Sequence, residues 1–261
     1  MKKLSFIPFL AMQSFAVMAA SAQQGIAPPQ LGFIAAADRS LRPVLGFPGN
    51  LLLGSAAADN IQSAAWSGSY GLAKSDDLLM AFDGTHMLGS IDVSRGPALF
   101  AFHSDGSPAL ALLPQSGELY SWTGAGFKLI TFREDLLEGN PLAIAVPQFD
   151  RVSVIVQRAD GLWLVVESTS DEIESQSALP GVQAPVLLQN DGGLLYMDQT
   201  SLVIRDGSGN ERRMKLSLSM AELHWMGTEW LQAVEANSGH QYAMRITPGF
   251  ERISQIPEAR Q

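Results

Sequence analysis

From Ile61 to Ile256 the chain is written in short apolar stretches whose side chains alternate with polar ones, each closed by a cluster of Gly, Asp, Asn, Ser or Pro. A period of two over roughly four to eight residues, bounded by turn formers, predicts β-strands rather than helices. Residues 142–177 show the plan most clearly. Leu142 to Val146 predicts a first strand, Arg151 to Gln157 a second, Leu162 to Glu167 a third and Glu172 to Ser177 a fourth. In the second of these, Val152, Val154 and Val156 alternate with Ser153, Ile155 and Gln157, and Arg158-Ala159-Asp160-Gly161 supplies the turn into the third. Asp-Gly at such a point favours a tight hairpin, because glycine adopts positive φ without steric cost.

The same four-strand plan recurs about every 40 residues, with copies beginning near Ile61, Ala98, Leu142, Ala184 and Ala221. Antiparallel four-strand units at that period predict an all-β fold, a β-propeller. Ahead of the first full copy, Phe33 to Ala36, the turn Asp38-Arg39-Ser40 and Leu41 to Leu45 form a partial unit resembling a third and fourth strand. The expectation is six blades with the first incomplete; five blades with an accessory hairpin is the alternative. The last copy owns a plausible fourth strand, so the exchange of one strand that often zips first and last blades together is not visible. Phe47 to Asn60 reads as a Gly/Ala-rich connection with Leu51 to Leu53 its one strand-like run.

The ends carry a different signal. Lys2 and Lys3 precede an apolar run from Leu4 to Ala20, and Ala20-Ser21-Ala22 is a small-x-small cleavage site, so residues 1–22 read as a secretory signal peptide. Gln13 and Ser14 break a run already short for the hydrocarbon core of a bilayer, which argues against a membrane anchor. Residues 23–30, with Pro28 and Pro29, read as a flexible leader, 31–257 as a single propeller domain and 258–261 as a tail. No later stretch approaches membrane-spanning length, and there is no cysteine for a lipid anchor or a disulfide. The expected location is the periplasm or the extracellular space.

Net charge of −9 repels a phosphate backbone, which argues against nucleic acid as a partner. Charged residues at 16% against 46% apolar suit strands buried between stacked sheets.

The corners between first and second strands also carry a resemblance. Trp66-Ser67-Gly68-Ser69, His103-Ser104-Asp105-Gly106, Phe149-Asp150-Arg151 and Asn190-Asp191-Gly192 resemble the Trp-Ser-x-Asp-Gly corner of TolB-type and related β-propeller repeats of exported bacterial proteins. The second and fourth copies keep the Asp-Gly, whereas the fifth has Gly227-Thr228-Glu229. The resemblance implies an extracytoplasmic propeller that binds proteins or envelope components, and it transfers no functional residue.

Candidate chemistry is sparse. His86, His103, His224 and His240 form no HxH or HExxH string, although His103 and His224 fall on first strands, which line the central channel of a propeller. Asp105, Asp150, Asp191 and Glu229 recur at one corner, where carboxylates converging at a channel mouth would hold calcium, with Asn190 as a further oxygen donor. The competing reading is that Asp and Asn serve the turns themselves. No G-x-S-x-G elbow and no nucleotide-binding glycine string occurs. Trp66 and Trp225 occupy similar places on first strands, and with Trp230 and Tyr70 would form a sugar- or peptide-binding surface if they clustered, while Tyr120, Trp122 and Trp163 fall on third strands that pack blade against blade. Together these features favour a non-enzymatic, cofactor-free exported propeller that binds a protein or cell-envelope component, with Trp66, His103, His224 and Trp225 as candidate surface. A calcium-dependent propeller hydrolase of the lactonase kind and a carbohydrate-binding propeller are the alternatives.

Overall fold

The computed structural model describes residues 28–103, 108–130, 138–148, 150–168 and 173–258. The signal-peptide reading of residues 1–22 and the candidate ligand Asp105 lie outside them. Among the described residues every regular element is a strand, and no helix is long and apolar enough to cross a membrane.

The strands form six antiparallel sheets. The first has three strands, β1 (Gln30–Ala35), β2 (Leu41–Phe47) and β3 (Asn50–Leu53). The other five have four each. They are β4 (Ser63–Ser67), β5 (Tyr70–Lys74), β6 (Leu78–Asp83) and β7 (His86–Asp92); then β8 (Leu99–Phe102), β9 (Ala109–Leu113), β10 (Glu118–Trp122) and β11 (Phe127–Ile130). β12 (Asn140–Gln148), β13 (Arg151–Arg158), β14 (Gly161–Ser168) and β15 (Ile173–Ala178) make the fourth sheet. β16 (Val186–Leu188), β17 (Leu194–Asp198), β18 (Ser201–Arg205) and β19 (Glu211–Lys215) make the fifth. β20 (Met220–Trp225), β21 (Trp230–Glu235), β22 (Gln241–Arg245) and β23 (Arg252–Gln255) complete the sixth. Each sheet is a meander of sequential neighbours, as short hairpin turns require. The fold is a six-bladed β-propeller whose innermost strands β4, β8, β12, β16 and β20 touch in succession around a central axis.

The core is not one cluster but six, each between successive blades. Val152, Val154 and Val156 face the third blade with Leu110, Leu112 and Leu119, whereas Ile155 on the same strand faces the fifth blade with Tyr196 and Val203. A middle strand buried on both faces therefore reads as a nearly continuous apolar run, as β9 (ALALL, buried throughout) does. The outermost strands keep only one covered face; β15, with the sequence IESQSA, is half-buried at its first residue and exposed at the rest.

The first blade departs from the expected partial unit. It has three strands rather than two, and it is the innermost strand alone that is missing. β1 touches β4 of the second blade and β21, the second strand of the sixth, while β4 and β20 touch each other directly across the vacated position. The cores on either side of β1 close the ring. Phe33 packs with Trp66 and Phe82 toward the second blade, and Ile34 packs with Met226 and Trp230 toward the sixth.

Polar contacts replace the missing ladder. The Phe33 amide donates to the Met226 carbonyl at 3.0 Å, and the side-chain amides of Gln232 and Gln241 donate to the Ala35 carbonyl at 3.0 and 3.1 Å. The free edge of β1 is thus capped by the last blade, which removes the exposed template that an unpaired strand would offer. Gly32 is what allows so close an approach: a Cβ there would lie 1.5 Å from the Met226 oxygen. Within the first blade, the Pro29 carbonyl extends the pairing of β1 with β2 by accepting from the Gly46 amide at 2.8 Å.

Candidate functional site

In each full blade the first strand runs outward to its turn with the second strand on one face of the disc, and that face behaves differently from the other. Asn190 closes it. Its side-chain oxygen accepts from the Val146 amide at 3.1 Å and its amide donates to the Phe102 carbonyl at 2.6 Å, tying the fifth blade to the fourth and third. Across the axis, the Gly68 amide donates to the Thr228 hydroxyl at 3.2 Å, joining the second blade to the sixth. Below these ties Trp225 packs against the cores of both the second and third blades and the fifth and sixth, so its ring spans the axis as a floor.

The opposite face is open. Between the beginnings of the inner strands lies a funnel of about 720 Å³, within the range of small-molecule sites. Its walls are Ala64, Ala98, Leu99, Phe100, Leu142, Ile144, Leu187 and Leu223, with Trp225 beneath, and its rim carries Arg39, Gln62, Gln115, Glu222 and His224. A second cavity of about 280 Å³ opens on the same face where the first blade lacks its inner strand. This bay is polar, lined by Gln62, Ser63, Gln232 and Gln241, and it shares Arg39, Glu222 and His224 with the funnel. Glu222 and His224 stand two residues apart on β20, so both project to the channel side, and His224 Nε2 lies 3.0 Å from Glu222 Oε2. That hydrogen bond holds the Glu222 carboxyl below its ordinary value, while burial opposes it. Arg39 is already paired with Asp76 at 2.8 Å, and Gln62 also donates to Asp76.

Of the residues nominated from the sequence, His224 and Trp225 come together here. Trp66 does not reach any surface: it is 1% exposed, stacked on Phe33 at 4.7 Å and tilted against Phe82 at 5.8 Å. His103 lies at the closed face, half-buried at the end of β8, where its amide donates to the Pro108 carbonyl. Trp230 is buried in the closure between sixth and first blades and Tyr70 is exposed at a turn, so the four aromatic rings do not converge.

The acidic corners stand on the closed face, away from the funnel. The Asp191 carboxylate accepts from the Gly193 amide at 2.9 Å and the Gly207 amide at 3.4 Å, and Glu229 is paired with Arg245 at 2.9 Å, which lowers its carboxyl from the ordinary value. Asp150 is exposed in the turn before β13. Among the described residues no three His, Asp or Glu side chains form a group that could hold a metal ion. Glu222, Gln62 and Arg39 were not nominated from the sequence. Their placement on or beside first strands was the available signal, since those strands border the channel.

The class defined by this architecture is the six-bladed β-propeller with one blade lacking its inner strand. No family model matches the chain, and no curated protein matches it. Solved structures do. TolB from Acinetobacter baumannii is similar at a TM-score of 0.56 with 15% identity, over 87% of this chain and 63% of that one. A structure of a nidogen/laminin complex is similar at 0.54 with 11% identity, over 86% and 96%. The β-propeller domain of Cps50 (Swd1) from Myceliophteria thermophila is similar at 0.48 with 15% identity, over 86% and 82%. Identities this low establish a shared fold and nothing finer.

Proposed function

We propose that the protein is an exported, non-enzymatic binding platform that receives a protein or cell-envelope component at the open end of its central channel. The observation that supports this reading is the asymmetry of that channel, closed at one face by Asn190 and Trp225 and open at the other as an apolar funnel with a polar rim. Apolar walls that exclude water, with a few polar groups at the mouth to orient the guest, are the usual make-up of a binding site. The polar groups support recognition in the same way: Glu222 and His224 are bound to each other, and Asp191 and Glu229 serve a turn and an ion pair on the far face.

The test is recovery of partners from envelope extracts by the wild-type chain and by Leu187→Arg, which places a charged side chain in the funnel wall. A partner lost in the variant, with the thermal midpoint of the variant unchanged, supports the reading. A partner recovered equally by both refutes the funnel as the binding surface.

A further inference from the structure

The two cavities on the open face differ in character and meet along the start of β4 and along β20, where Arg39, Gln62, Ser63, Glu222 and His224 line both. The funnel is walled by Leu99, Phe100, Leu142, Leu187 and Leu223, whereas the bay left by the missing inner strand is lined by the amides of Gln62, Gln232 and Gln241. Glu222 and His224 line both. A guest filling the funnel therefore has its polar end directed to Glu222. Of the two ionic groups at the junction, Arg39 is neutralised by Asp76 at 2.8 Å, with Asp76 also receiving the Gln62 amide. Glu222 has a hydrogen-bond partner in the His224 ring, whose Nε2 lies 3.0 Å from its Oε2. Its side chain keeps 59% of its surface accessible to a guest. A carboxylate can accept about four hydrogen bonds, so capacity remains for a cationic donor.

We infer that the group received by this site is an apolar body ending in a protonated amine, with the body in the funnel and the ammonium on Glu222, beside the polar bay. An ammonium offers three donors and no acceptor, which matches a carboxylate with acceptor capacity to spare. An anionic head group would face the like charge of Glu222, and a neutral one would offer it only an uncharged hydrogen bond, the weaker arrangement. This inference rests on the proposed binding role of the funnel and names the chemistry of its guest.

The experiment is calorimetric titration of the mature chain at neutral pH with octylammonium, octanoate and octanol, which share one tail and differ in head group, and with a lysine-bearing hydrophobic peptide to distinguish a free amine from one carried on a partner chain. Octylammonium, the peptide or both are expected to bind at least about tenfold more tightly than octanoate and octanol, equivalent to about 1.4 kcal/mol. Glu222→Gln should bring the amine to the level of octanol. Asp150→Asn removes the same charge from the opposite face and should change nothing, which separates the site from the general attraction of an acidic protein for cations. Equal binding of all three head groups, abolished by Leu187→Arg, would overturn the cationic assignment and leave the funnel as a binding site. No binding of any probe would overturn the assignment, with partner recovery still deciding the broader reading. Amine binding unaltered in Glu222→Gln would overturn it as well.

Discussion

Ring closure by β1 gives the sharpest prediction about stability, because the contact is so close that one methyl group tests it. Gly32→Ala would place a Cβ 1.5 Å from the Met226 oxygen and 2.4 Å from its carbonyl carbon, both backbone atoms that no side-chain rotation can move. β1 must then back away from the sixth blade. Overpacking of this kind costs about 1–3 kcal/mol. The Phe33 to Met226 hydrogen bond, 3.0 Å in the native ring, would be lost with it, at about 0.5–1.5 kcal/mol. The total, about 2–4 kcal/mol, corresponds in a domain of this size to a fall in thermal midpoint of about 5–15 °C. The assay is thermal unfolding followed by circular dichroism, with Gln30→Ala as a control on the same strand at an exposed position, expected within about 2 °C of wild type. Hydrogen exchange at the Phe33 amide should accelerate in Gly32→Ala and not in the control. A Gly32→Ala midpoint equal to that of Gln30→Ala would refute closure through the Gly32–Met226 approach.

Further outcomes follow from other contacts. Gly71→Ala would set a Cβ 1.9 Å from the Trp66 ring and displace it from between Phe33 and Phe82, at about 1–3 kcal/mol, with loss of the near-ultraviolet circular dichroism of a fixed indole. Asn190→Ala removes both ties from the fifth blade to Val146 and Phe102, at about 1–3 kcal/mol, and should speed exchange of the Val146 amide while leaving that of Phe33 unchanged. Asp206 accepts from Ser208 and Asn210, and these bonds hold its carboxyl down at about 2. Because the folded value lies below the ordinary 3.8, its contribution is complete above that pH and is lost as pH falls toward about 2. The stability difference between wild type and Asp206→Ala in urea should therefore shrink across that window, and a difference independent of pH would contradict the assignment.

Much of the architecture was legible because it is local. Alternation in β13 and β14, Asp160-Gly161 between them, and the recurrence of that hairpin at about 40 residues specify antiparallel blades before any tertiary contact is known. The run of β9 likewise announces a strand covered on both faces. β3 was half-visible, as Leu51 to Leu53, since a strand on a blade's outer side needs only one apolar parity. The start of β1 was not: Gln30, Leu31 and Gly32 carry no strand pattern, and Gln30 and Gly32 pair with β2 across a bulge, held by the sixth blade at Gly32 and Phe33 and by the Gly46 amide at Pro29.

The candidate site divides along the same line. That first strands face a channel could be reasoned from the repeat, and His224 and Trp225 do border the funnel. It also put Trp66 there, since β4 and β20 look alike in sequence; in the structure Phe33 and Phe82 enclose the Trp66 ring, and Phe33 comes from a blade lacking its inner strand. Corner carboxylates looked convergent for the same reason, and Asp191 and Glu229 instead satisfy amides and an arginine within their own blades. What the sequence determined by itself was therefore the repeating unit and its two-faced strands, because strand alternation and turn chemistry act between residues near in the chain. Tertiary structure alone decided which end of the channel is open, where the bay lies and that Glu222 borders it, because these depend on how inner strands about 40 residues apart meet when a ring of six closes with one strand short.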